Sequence, residues 1–164
     1  MTKILLSLHV LAAIVAVGPV TVAASMFPAA ARRVPVAATV GGADGAAAGD
    51  AGGIGTVRLL HRLCRVYAGL GIAVPVLGFA TAAAMGVLSD AWLVASITLT
   101  AVAAGLLAAF VLPRQEELLE ELADGRPVER ARTARLAMFT GVFNLLWATV
   151  TVLMIVRPGS ATGA

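Results

Sequence analysis

Few side chains in this sequence can do chemistry, and they lie far apart. Two histidines, His9 and His61, are present. His9 falls inside an apolar run, where an ionisable side chain is expensive and marks a functional candidate by default. A neutral imidazole there can ligate haem iron or copper, or relay protons. Its plainer use is a hydrogen bond to a backbone carbonyl or hydroxyl on a neighbouring helix. His61 stands among Arg58, Arg62 and Arg65 at helical spacing, which reads as an interfacial position. The two histidines belong near opposite membrane faces, nearly ~30 Å apart. A metal–nitrogen bond is only about 2 Å, so they do not share one ion.

The remaining candidates are single residues. Cys64 is the one cysteine, so there is no intrachain disulfide; it reads as a small residue at a helix start. Asn144 is an amide within an apolar run, where interhelical hydrogen bonds contribute about 0.6 kcal/mol; it reads as a packing residue. The sequence holds no phosphate-binding Gly loop, no HExxH and no recognisable Ser–His–Asp set. The apolar runs contain no Asp, Glu, Lys or Arg, whereas proton-coupled exporters generally need a membrane carboxylate. A hydrolase or a stand-alone secondary transporter is therefore not expected.

The elements that must position these residues are long apolar helices. Of 164 residues, 60% are hydrophobic and 13% charged, and the mean hydropathy is +0.95. A soluble domain is nearer a quarter charged. Four runs, at about 4–27, 66–88, 91–112 and 136–156, match the ~20 residues a helix needs to cross ~30 Å of hydrocarbon. They do not alternate as barrel strands would. The first run exceeds the usual h-region of a cleaved leader and reads as a retained span. The expected fold is an all-α membrane protein, a bundle of four transmembrane helices.

Orientation follows from the cations. Ten of the 12 Lys and Arg lie in the segments after the first and third runs, and only Lys3 and Arg157 lie on the other side. The positive-inside rule then places both termini outside, in a multi-pass protein of a bacterial plasma membrane. The basic balance, net +3, belongs to topology and lipid headgroups; without a basic stripe interleaved with aromatics it does not indicate nucleic acid. Residues 35–57 are rich in Gly and Ala and read as a flexible loop. Arg58, Arg62 and Arg65 are expected to meet lipid phosphates. Residues 114–135 read as a charged hairpin, with an amphipathic EELLEEL turn ended by Gly125 and Pro127.

Small residues mark helix contacts in lipid. The candidates are Gly78, Ala82 and Gly86 on the second helix, Ala101, Gly105 and Ala109 on the third, and Asn144 with its neighbours on the fourth. Pro19 and Pro75 are expected to kink their helices.

The opening KILLSLHVLAAIVAVGPVTVAASMFPAAAR, with the later RLLHRLCRVYAGLGIAVPVLG and VLPRQ, resembles actinobacterial integral membrane proteins of the domain of unknown function 2269 family over nearly the whole chain. The first helix is similar, more distantly, to copper-resistance D-type proteins and to the haem-binding protoporphyrinogen oxidase of bacteria. That similarity implies an intramembrane histidine at His9 and a haem b or copper cofactor. The first helix lacks their tryptophan, and no second histidine lies in a run, so a bis-histidine haem needs a partner chain. The expected function is a non-catalytic accessory or structural subunit of a membrane complex, with lipids and other subunits, or its own copies, as partners. The alternatives are a haem- or copper-binding redox protein centred on His9, and a lipid-interacting protein.

Overall fold

The computed structural model describes residues 2–34 and 46–159. The helices are α1 (Thr2–Ala31), α2 (Ala46–Leu70), α3 (Ala73–Met85), α4 (Ala91–Leu106), α5 (Leu112–Ala123) and α6 (Arg130–Val156), with a π-helical segment at Leu107–Val111 joining α4 to α5. They form four helices long and apolar enough to cross a membrane: Thr2–Ala31, Gly53–Met85, Ala91–Ala123 and Arg130–Val156. The chain is an all-α membrane protein with a four-helix bundle, and no strand occurs among the described residues.

The proline positions explain where the rods deform. Pro19 and Pro28 lie inside α1 without ending it. Pro75 has no N–H for the carbonyl of Gly71, and its ring presses on that carbonyl. The second span breaks there, between Leu70 and Ala73: Gly71 N–H still donates to Tyr67 O, but Ile72 and Val74 N–H donate only three residues back, to Gly69 O and Gly71 O. Pro113 poses the same problem for Ala109. The chain answers by widening instead of breaking: Leu112 N–H donates five residues back to Leu107 O, and α4 and α5 remain one rod.

Two boundaries differ from the sequence reading. The second span begins earlier than residue 66, because α2 is helical from Ala46; alanine is the best helix former and offsets the glycines nearby. The part of the expected flexible loop at 35–45 lies outside the described residues. The third span runs on to Ala123 rather than stopping at 112. Its extension keeps an apolar face, with Val111, Gln115, Leu118 and Leu122 all buried.

Packing runs in a ring. α1 lies against α2, α3 and α6, α4 lies against α6, and α2 closes the ring on α5. The larger core sits toward the Arg-rich end and includes Phe27, Val57, Cys64, Val111, Leu118, Leu136 and Phe143. A smaller cluster of Ala82, Trp92 and Leu93, flanked by Val87 and Met154, fills the other end. At that end Gly86 caps α3 at φ 71°, in the left-handed region, while Val87 N–H donates to Ala82 O. Glycine is the residue that adopts this turn without a Cβ penalty.

Candidate functional site

His9 is where the bundle brings an ionisable side chain, a backbone acceptor and a cavity together. Its Nδ1 lies 3.0 Å from Val74 O. A carbonyl only accepts, so Nδ1 carries the hydrogen, and in the neutral ring Nε2 keeps a lone pair. The approach is possible because residue 78 is glycine. A Cβ there would stand 2.8 Å from Cε1 and 3.2 Å from Nδ1 of His9. Gly78, expected as a helix-packing residue, is thus the seat of the imidazole.

A cavity of about 40 Å³ opens beside this ring, bounded by His9, Gly78, Met85, Trp92, Met154 and Arg157. That is room for one ion or a few waters. It is far below the ~300–1,000 Å³ of a site for a small-molecule cofactor. A haem b cannot be enclosed in this cavity within one chain, so a haem on His9 would have to be shared with a partner chain.

The rim is tied down electrostatically. Trp92 Nε1 donates to Asp90 Oδ2 at 3.0 Å. The Arg157 guanidinium lies 5.6 Å from the Trp92 ring centroid, and its Nε donates to Met154 O at 3.3 Å. Asp90, Trp92 and Arg157 therefore form one chain across the mouth. Trp92 is 7% exposed.

The second histidine is used elsewhere. His61 Nδ1 donates to Gln115 Oε1 at 3.2 Å, and Gln115 Nε2 donates to Cys64 Sγ at 3.6 Å. Gln115 and Cys64 are wholly buried. This link fastens α2 to α5. It gives Cys64 a place in the middle of a helix rather than at its start, and it gives His61 a protein partner rather than a purely interfacial setting. Gln115 escaped sequence reasoning because it sits in the charged run RQEELLEEL. The signal was its spacing: it falls on the stripe of Val111, Leu118 and Leu122.

Other candidate residues are placed as follows. Asn144 Nδ2 donates to Ser25 Oγ at 3.1 Å, joining α6 to α1. Ala82 is buried against the Trp92 cluster. Gly86 is the C-cap of α3. Ala101, Gly105 and Ala109 lie on an exposed face, while Ala103 and Leu107 carry the inward contacts of that rod; a one-face spacing fixes which residues lie together but not which way they turn. Arg58, Arg62 and Arg65 are exposed along one side of α2. Among the described residues no group of three or more His, Cys, Asp or Glu is arranged to hold a metal.

The chain matches no family model, no curated protein and no solved structure.

Proposed function

We propose that this small integral membrane protein holds a single soft metal ion, Cu(I), in the cavity beside His9. The observation that carries the reading is the His9–Val74 hydrogen bond, which leaves an Nε2 lone pair on a ring lining the same cavity as Met85 and Met154. Imidazole and thioether are ligands that suit Cu(I), and a backbone carbonyl behind a ligating histidine is its usual orienting partner. Arg157 also lines this cavity; its guanidinium lies against the Trp92 ring and its Nε donates to the Met154 carbonyl. The test is competition between detergent-purified protein and a chromophoric Cu(I) chelator, wild type beside His9→Ala. One equivalent bound by the wild type and lost in the variant supports the reading. No binding, or equal binding by both, overturns it.

A second reading keeps the chain as an accessory subunit. It is supported by the Ala101, Gly105 and Ala109 face, which is exposed and has open space around Gly105. Small residues at four-residue spacing let helix backbones approach closely in lipid, so the occupant is another transmembrane helix. Cysteine at Gly105 should then crosslink to a larger subunit or to a second copy in native membranes; a monomer only would count against it. In either reading the cation asymmetry supports both termini outside, and the motifs quoted above support kinship with the actinobacterial domain of unknown function 2269 proteins and, through that resemblance, a bacterial plasma membrane.

A further inference from the structure

At the opposite end from His9, α5 and α6 enclose a second cavity of about 180 Å³. Arg114, Arg132, Arg135, Glu117 and Leu118 line it. The three cations are not equivalent. Arg132 binds Glu121 and, at 2.8 Å, Glu117, so its charge is spent on holding the two helices together. Arg114 has a cation–π contact, 4.8 Å from the Phe139 ring centroid, and no ion pair among the described residues. Arg135 is exposed and makes no hydrogen bond or ion pair among the described residues. Two guanidinium groups, each with five N–H donors, thus face one polar cavity with most of their hydrogen bonds unclaimed.

Their depth is equally specific. Arg114 lies just past the apolar run that ends at residue 112, and Arg135 just before the one that starts at 136. Both mark the same membrane boundary. One helical turn deeper from each lie Phe110 and Phe139, stacked with centroids 5.2 Å apart, and Phe110 is 43% exposed. A phosphate at the arginines would place its acyl chains along this aromatic pair. Basic pockets between transmembrane helices are suited to anionic headgroups, and guanidinium matches phosphate oxygens two at a time.

We propose that Arg114 and Arg135 form a binding site for the phosphate of an anionic phospholipid, with Arg132 as the positioning residue. This site is separate from the exposed Arg58, Arg62 and Arg65 face and does not depend on the metal reading. The probes are dioleoyl phosphatidic acid, dioleoyl phosphatidylcholine and inorganic phosphate, each added to the full chain in a neutral detergent. The readout is the thermal unfolding midpoint together with lipid binding by native mass spectrometry. The wild type should be stabilised by phosphatidic acid and not by phosphatidylcholine. Arg135→Gln, which removes no hydrogen bond or ion pair among the described residues, should weaken phosphatidic acid binding about fivefold, and adding Arg114→Gln about fivefold again. The triple variant Arg58→Gln/Arg62→Gln/Arg65→Gln should retain the specific binding. Equal phosphatidic acid binding by wild type and Arg135→Gln overturns the site. Stabilisation by inorganic phosphate equal to that by phosphatidic acid assigns a free anion and overturns the lipid.

Discussion

Gly78 and His9 occupy the same small volume, one by having no side chain and the other by filling the space. A Cβ on residue 78 would come within 2.8 Å of His9 Cε1. Gly78→Ala must therefore displace the imidazole and disturb its bond to Val74 O. Overpacking of this kind costs about 1–3 kcal/mol. The thermal midpoint of Gly78→Ala in detergent should fall, and the drop should shrink in a His9→Ala background, where the obstacle is gone. Equal drops in both backgrounds would show that the two residues are not coupled.

The two thioethers separate a metal site from a mere packing void. Met85→Leu and Met154→Leu conserve volume and should cost under about 1.5 kcal/mol of stability. Each should nonetheless weaken Cu(I) binding at least tenfold, read by chelator competition. Unchanged Cu(I) affinity in both variants would remove the thioethers from the site.

Gln115 is the clearest stability prediction. It is wholly buried and bonded on both sides of its amide. Gln115→Ala leaves a cavity and an unsatisfied His61 donor, a loss of roughly 2–4 kcal/mol. Gln115→Leu keeps the volume and should lose less. If the two variants melt alike, the side-chain volume contributes little and the lost hydrogen bonds to His61 and Cys64 account for the destabilisation.

The Arg132 clamp should respond weakly and unevenly. Glu117 is 56% exposed and Glu121 only 16% at the side chain. Exposed pairs contribute ~0.2–1 kcal/mol and are screened by salt. Glu121→Gln should therefore lower the midpoint more than Glu117→Gln, with the difference between them widening at high salt, which screens the exposed pair more. A larger loss from Glu117→Gln would reverse this ranking.

The four spans were legible because bilayer thickness sets a length that few other structures imitate. His9 was legible by type, since a titratable group stands out in hydrocarbon. Its partners were not. Val74 lies 65 residues away and contributes only a carbonyl, and Met85 and Met154 look like any other apolar residue in a span. The outward turn of Ala101, Gly105 and Ala109 was hidden for a different reason. Small residues favour close approach wherever a neighbour exists, and the sequence of one rod does not say where its neighbours are. That Arg114 and Arg135 line one cavity across the α5–α6 hairpin depends on the third span continuing through the π turn.

The two proline solutions give the molecule struts of unlike stiffness. The second span is two links meeting at Gly71 and Ile72, one fastened to α5 by Gln115 and the other to α1 by His9. The third span stays a single rod of 33 residues. A bend imposed at the arginine end will be carried along the third span and absorbed at the joint of the second, so spin labels bracketing 71–72 should report a broader distance distribution than a pair bracketing 107–111.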